Sequence, residues 1–120
     1  MPATNIGSRG LAEVNLTIPQ GTSLEFDVSH TDTRGKAVDH TGSTVTMSMQ
    51  RKDGGATIDL SEYCEGTDGG VSVYIPASVS SVLPLGYMLW DMIVTTDVGG
   101  VIRMCYGTVN VVDTYALDGE

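Results

Sequence analysis

The 120-residue chain has few basic residues, few aromatic residues and few cysteines. Its six Lys and Arg face fifteen Asp and Glu, which gives a formal net charge of −9. Binding to a nucleic-acid backbone or to an anionic membrane needs clustered basic side chains, so we expect neither partner. An acidic, solvated surface and docking to a basic partner surface both fit the charge, and composition leaves both open.

Two cysteines, Cys64 and Cys105, are too few for a disulfide framework and lack the spacing of a zinc site. We expect Cys105 to be buried in a strand as a small apolar residue, and the sequence leaves open whether Cys64 and Cys105 are bonded to each other. Long apolar runs are also missing, and none approaches the length that a bilayer-spanning helix needs. The first residues lack a basic stretch followed by an apolar one, so we expect no signal peptide.

Residues suited to catalysis are sparse. The only histidines are His30 and His40, and Asp27, Asp32 and Asp39 near them come with no nucleophile elbow. Phosphate-binding glycine motifs are missing, and the Asp-Gly loops lack the alternating carboxylates of a calcium loop. We therefore predict no enzyme activity, no metal and no cofactor. The scattered tyrosines leave carbohydrate binding open as an alternative.

The chain does contain segments in which apolar and polar residues alternate, with the period of a half-buried strand. Seven segments predict strands, namely residues 14–18, 24–28, 45–49, 57–60, 71–75, 87–95 and 101–112. Glycine-containing turns at 52–55 and 97–100 predict two hairpins, and 65–70 predicts a loop. Residues 77–83, closed by Pro84, predict a short helical connector. The pattern predicts an all-β fold, an immunoglobulin-like antiparallel β-sandwich of about seven strands with at most one short helical connector.

The most apolar segment is 87–95, and its two faces differ. Met88, Trp90, Met92 and Val94 share one face, which we place in the core. On the other face, Leu89 and Ile93 flank Asp91, and this face is too apolar for plain solvent. We therefore predict that Leu89, Asp91 and Ile93 meet a partner or a covering loop. Further along the chain, Gly107 predicts a bulge or a close backbone approach.

Both ends differ from the body of the chain. We divide it into a flexible N-terminal arm (1–10), an immunoglobulin-like β-sandwich (11–112) and an acidic C-terminal tail (113–120). The arm and tail are either frayed termini or segments that order on a neighbouring subunit, and the sequence leaves both open. For the second case we add Asn5, Ile6 and Tyr115 to the candidate interface residues.

Five short segments of the sequence resemble, in the same order, segments found together in one protein family. They are 18–26 (IPQGTSLEF), 39–47 (DHTGSTVTM), 83–86 (LPLG), 90–95 (WDMIVT) and 107–112 (GTVNVV). In this order the chain resembles a family of small structural domains of tailed-bacteriophage virions, over roughly residues 14–112. It is similar to the N-terminal domain of upper baseplate proteins and to stand-alone head or tail accessory proteins. Thr22 stands where the family has an acidic residue, and His40 stands where it usually has Leu.

The resemblance implies a non-enzymatic virion component that is assembled in the host cytoplasm. A copy with no fibre module after it is expected to be a capsid decoration (cement) protein that bridges shell subunits by many weak contacts. Its partners would be the major capsid protein or tail and portal proteins, with homo-oligomers on the particle. The alternatives are a tail or baseplate adaptor that anchors fibres or tailspikes, and a carbohydrate-binding host-adhesion module.

Overall fold

Ten strands form two sheets in the computed structural model, which describes residues 3–5, 12–51, 54–55 and 57–113. The strands are β1 (Ala3–Asn5), β2 (Ala12–Glu13), β3 (Leu16–Pro19), β4 (Leu24–Ser29), β5 (Thr44–Arg51), β6 (Thr57–Asp59), β7 (Cys64–Thr67), β8 (Gly70–Ile75), β9 (Gly86–Thr95) and β10 (Val101–Val112). A 3-10 turn spans Ser61–Tyr63, and α1 spans Ala77–Ser80.

The first sheet has the order β1-β4-β8-β7, and the second has the order β2-β10-β9-β5-β6, with β3 also paired to β10. The predicted all-β sandwich with one short helical connector is confirmed. Pairing is antiparallel except where β1 joins β4 and where β2 and β3 join β10, which are parallel. Each of the seven predicted segments contains a strand, but residues 14 and 15 of the first predicted strand lie between β2 and β3.

The core lies between the two sheets and is rich in methionine. Strict alternation along β5 and β9 turns every second side chain inward, as the period of a strand requires. The fully buried side chains include Met47, Met49, Met88, Met92 and Met104, each at most 1% exposed. Unbranched, polarizable Met fills the volume that the few aromatic residues leave, and Phe26 packs edge-on against Trp90 with ring centroids 6.1 Å apart.

The predicted core face of 87–95 is confirmed, because Met88, Trp90, Met92 and Val94 are all buried. Cys105 is buried as predicted, and both cysteines are free thiols. The register between β9 and β10 shifts between Arg103 and Cys105, so consecutive residues there face the core.

Two predictions about loops and ends need correction. Residues 65–70 were predicted as a loop, but Cys64–Thr67 form β7 and pair with β8. A glycine at position 66 concealed this strand in the sequence, and it is needed because a Cβ there would lie 2.1 Å from the carbonyl oxygen of His40. Residues 3–5 of the predicted flexible arm form β1 in the first sheet, and the other residues of that arm lie outside the described part of the chain.

Short helix α1 is fastened by one buried side chain. The hydroxyl of Ser80, fully buried, donates to the carbonyl of Thr22 at 2.5 Å and accepts from the amide of Gly21 at 3.2 Å. The side-chain amide of Gln20 donates to the carbonyl of Leu83 at 2.8 Å. These bonds connect the turn between β3 and β4 to the connector that leads into β9, and so fix where β9 begins.

Candidate functional site

The outer face of the second sheet carries the candidate site. Strand β9 lies between β5 and β10, so its backbone is hydrogen bonded on both sides. The same alternation that buries Met88 and Trp90 turns Tyr87, Leu89 and Asp91 outward. A strand held this way presents its outward side chains on a rigid surface.

Exposed apolar side chains follow one another along this face. In β9, Tyr87 is 64% exposed and Leu89 is 48% exposed. Strand β10 contributes Tyr106, which is opposite Asp91 in the register and so lies diagonal to Leu89. We call Tyr87, Leu89 and Tyr106 the outer stripe. Single exposed apolar residues are ordinary, but a contiguous run is typical of an interaction surface.

A charged pair flanks the outer stripe. The guanidinium of Arg103 lies 3.9 Å from a carboxylate oxygen of Asp91 and 5.2 Å from the centre of the Tyr106 ring. The other oxygen of Asp91 accepts a hydrogen bond from the hydroxyl of Ser48 at 3.3 Å. Both charged groups remain accessible to solvent, so they add specificity to a contact more than stability to the fold.

A shallow groove of about 310 Å³ runs beside Leu89, between Gln50 on β5 and Arg103 on β10. Leu89 forms an apolar wall, whereas Gln50 and Arg103 supply hydrogen-bond donors. The groove suits a side chain or a loop of a partner better than a deeply enclosed small molecule.

Three of the predicted interface residues, Leu89, Asp91 and Ile93, lie together on this outer face. Ile93 is half-buried and stands opposite Arg103 in the register. Asn5 does not join them, because it lies in β1 at the edge of the first sheet. Ile6 and Tyr115 lie outside the described residues.

Sequence reasoning missed Tyr87, Tyr106 and Arg103 as members of this surface. Tyr87 continues the outward positions of Leu89 and Asp91 at a spacing of two, so the alternation already contained that signal. Tyr106 and Arg103 carry no such signal, because their place depends on the pairing register of β9 and β10 and on the shift at residue 104.

The outer face of the first sheet has the opposite chemistry. A depression of about 590 Å³ is lined by the carboxylates of Glu25, Asp27, Glu62 and Glu65, together with Tyr63 and Tyr74. Glu25 is opposite Tyr74, while Asp27 and Glu65 both flank Ser72 in the register. Within the described residues, none of the side chains that line it is Lys or Arg. The two outer faces of the sandwich therefore differ sharply in charge.

Residues 3–5, 12–51, 54–55 and 57–113 contain no group of three or more His, Cys, Asp and Glu side chains placed to hold a metal ion. Over the same residues, no helix is long and apolar enough to cross a membrane. The sequence matches no protein-family model, and it matches no curated protein.

Proposed function

We propose that this domain is a non-enzymatic structural protein of a tailed-bacteriophage virion, a capsid decoration protein that binds the shell through its outer stripe. Two observations of different kinds support the proposal. The five sequence segments resemble those of virion structural domains in their order. The fold also presents an exposed apolar surface on a rigid strand.

The outer stripe is the observation that carries the proposal. Tyr87 and Leu89 are each about half exposed or more, and burying the remaining apolar area of such side chains stabilises a complex by about 1 kcal/mol each. Such a contact is weak for one copy. On a symmetric shell many copies bind at once, and the sum of modest contacts then holds the decorated particle together.

The asymmetry between the two faces favours one orientation on the particle. The outer stripe, with Arg103, Asp91 and Glu13 as charged neighbours, would face the major capsid protein. The acidic face with Glu25, Asp27 and Glu65 would then face solvent. Like charge on the outside of decorated particles keeps them apart, because the summed field repels neighbouring particles.

The experiment that tests this role is mass spectrometry and cryo-electron microscopy of virions of the phage that encodes the chain. Density of the sandwich over capsomers is the expected result. Density confined to the tail or portal vertex would replace decoration by the tail-adaptor alternative. Absence of the chain from purified virions would overturn a virion role altogether.

A matched pair of variants tests the binding surface. Tyr87 and Tyr74 are both exposed tyrosines in central strands, 64% and 52% exposed, but they lie on opposite outer faces. We expect Tyr87→Ser to lower occupancy on particles that lack the wild-type chain, and Tyr74→Ser to leave occupancy unchanged. Equal loss from both variants, or loss from Tyr74→Ser alone, would show that the outer stripe is not the docking surface.

A further inference from the structure

The two histidines of the chain meet inside the sandwich. His30 follows β4, and His40 lies ten residues later, yet their rings meet edge to edge, with centroids 5.1 Å apart and planes 12° apart. Nδ1 of His30 and Nε2 of His40 are 2.8 Å apart, which is a hydrogen bond. The side chains are only 7% and 1% exposed. We call these two residues the histidine pair.

The histidine pair lies where the chain crosses from the first sheet to the second. We call residues 30–43 the crossover segment, since it joins β4 to β5. The amide of His30 donates to Gly69 and that of His40 donates to Thr67, both at 2.8 Å. The amide of Val38 donates to the carbonyl of His30 at 2.9 Å. The pair thus holds both ends of a ten-residue excursion against the turn between β7 and β8.

The hydrogen bond within the histidine pair fits the neutral form of both rings. A neutral imidazole carries one N–H and one acceptor nitrogen, so two neutral rings can share one N–H···N hydrogen bond. If both rings are protonated, both facing nitrogens carry N–H groups and the bond cannot form. If only one ring gains a proton, the N–H···N hydrogen bond can remain, but the pair then carries a buried positive charge, which is costly away from water. Within the described residues, Nδ1 of His40 is buried without a hydrogen-bond partner, so a proton added there finds no acceptor.

Burial lowers the pKa of both histidines below the ordinary value of 6.5, and the charge of His40 lowers the pKa of His30 further. The carboxylates of Asp32 and Asp39 act in the opposite direction on His30 and His40 respectively. Both carboxylates are exposed and their charge is screened, so burial prevails.

The other charged groups of the surrounding elements point away from the pair. On the crossover segment, Arg34 and Lys36 are exposed. Asp68, in the turn between β7 and β8, is exposed and pairs with Asp39 through a backbone bridge. Asp27 on β4 and Glu65 on β7 lie on the outer face of the first sheet. No basic side chain among these enters the space between the rings and the core.

We propose that the histidine pair is an acid-sensitive device that holds the crossover segment against the β7–β8 turn when both rings are neutral and releases it when the pair takes up a proton. The release exposes the rings of His30 and His40, detaches the segment between them from the turn, and leaves the strands of the second sheet paired. The device depends on the geometry of these two residues alone and stands whether or not the domain belongs to a virion.

The direction of the pH effect follows from proton linkage. The unfolded or released segment binds protons with a pKa near 6.5, and the closed pair binds them only at lower pH. The closed form is therefore fully stable above pH 6.5 and loses stability as the pH falls below it. Each added proton raises the opening equilibrium by at most about tenfold per pH unit, so uptake at both histidines raises it by at most about a hundredfold per pH unit.

Hydrogen exchange measured by NMR between pH 7.5 and 4.5 tests the proposal on the full chain. Protection factors for the amides of Val38, His40 and Gly69 are compared with those of β9 in the same sample. We expect these three protection factors to fall by up to about a hundredfold per pH unit below 6.5, about tenfold for each proton taken up, while those of β9 fall less. A constant ratio across this range would overturn the proposal.

A non-titrating variant provides the control. In His30→Asn/His40→Gln the amides reach the positions of Nδ1 and Nε2 without an ionisable group, so the ratio should become independent of pH. An unchanged pH dependence in this variant would overturn the proposal. An NMR titration of the two imidazoles in the wild-type chain tests the proposal independently, because it does not require the variant to fold. Both rings should titrate below pH 6.5 together with the loss of protection, and titration at or above 6.5 would refute the device.

Discussion

The indole N–H of Trp90 donates a 2.8 Å hydrogen bond to the backbone carbonyl of Val14, 76 residues earlier in the chain. Val14 lies between β2 and β3, where the edge strand of the second sheet is interrupted, and its own amide donates to the carbonyl of Tyr106 at 2.8 Å. Gly107, opposite Trp90 in the register, leaves the space through which the indole reaches this carbonyl. One side chain thus links the core to the edge of the sheet.

Gly107→Ala tests this close approach. A Cβ at position 107 would lie 2.0 Å from the carbonyl oxygen of Val14, so the edge strand would have to move away from β10. We expect a loss of about 2–4 kcal/mol in the free energy of unfolding, measured by urea denaturation. Gly100→Ala is the control, since its Cβ would meet only the side chain of Thr96, and it should cost much less. Equal losses would contradict the account.

Trp90→Phe separates the hydrogen bond from the bulk of the ring. Phenylalanine keeps an aromatic ring near Phe26 but leaves the carbonyl of Val14 without its indole donor. We expect the free energy of unfolding to fall by about 1–3 kcal/mol. Hydrogen exchange should also increase for the amide of Val14 more than for amides of β4. Unchanged protection at Val14 would show that the indole does not hold the edge strand.

Much of the fold was predictable because alternation alone fixes which residues face the core. The period of two along 87–95 placed Met88, Trp90, Met92 and Val94 inside, and the structure confirms this. The close approach predicted at Gly107 is also confirmed, against the backbone of Val14. A lone glycine in an otherwise regular strand has few other uses, which made this prediction specific.

The missed parts depend on contacts between distant residues. Strand β7 contains Gly66 and follows polar residues, and its pairing with β8 and its contact with His40 are not visible in its own sequence. The histidine pair was invisible for the same reason. His30 and His40 are separated by a polar segment typical of an exposed loop, and only the return of that segment to the β7–β8 turn brings the rings together.

The cysteines should be unreactive in the native protein. Burial raises the pKa of the Cys64 and Cys105 thiols to about 12, so at pH 8 roughly one thiol in ten thousand is ionised. We expect negligible alkylation by iodoacetamide at pH 8 over an hour, and rapid alkylation of both in urea. Peptide mass spectrometry assigns the sites. Fast labelling of native Cys64 would show that its strand opens readily or that its thiol is more exposed than the structure places it.

Arg103→Ala distinguishes a role in binding from a role in folding. Its contact with Asp91 is 3.9 Å long and its side chain is 55% exposed, so the ion pair contributes little to stability. We expect the free energy of unfolding to change by less than about 0.5 kcal/mol. Occupancy on particles should nevertheless fall, as for Tyr87→Ser. A large loss of stability would show that the pair serves the fold, and unchanged occupancy would remove Arg103 from the docking surface.

Repulsion within the acidic face should be measurable as a salt effect. Asp27 and Glu65 flank Ser72 from both sides, in a row where opposite charges would attract. Glu65→Lys should therefore raise the free energy of unfolding by about 0.3–0.5 kcal/mol at low ionic strength. The gain should disappear in about 1 M NaCl, where the Debye length is about 3 Å.

Glu13→Lys makes the same charge change on the second sheet and controls for the net charge of the chain. If both variants gain equally, the benefit comes from the total charge of −9 and not from the row on the acidic face. A gain confined to Glu65→Lys would mean that repulsion between the carboxylates of the acidic face lowers the free energy of unfolding of the wild-type chain. Such a loss is expected of a surface that remains in solvent while the outer stripe is covered.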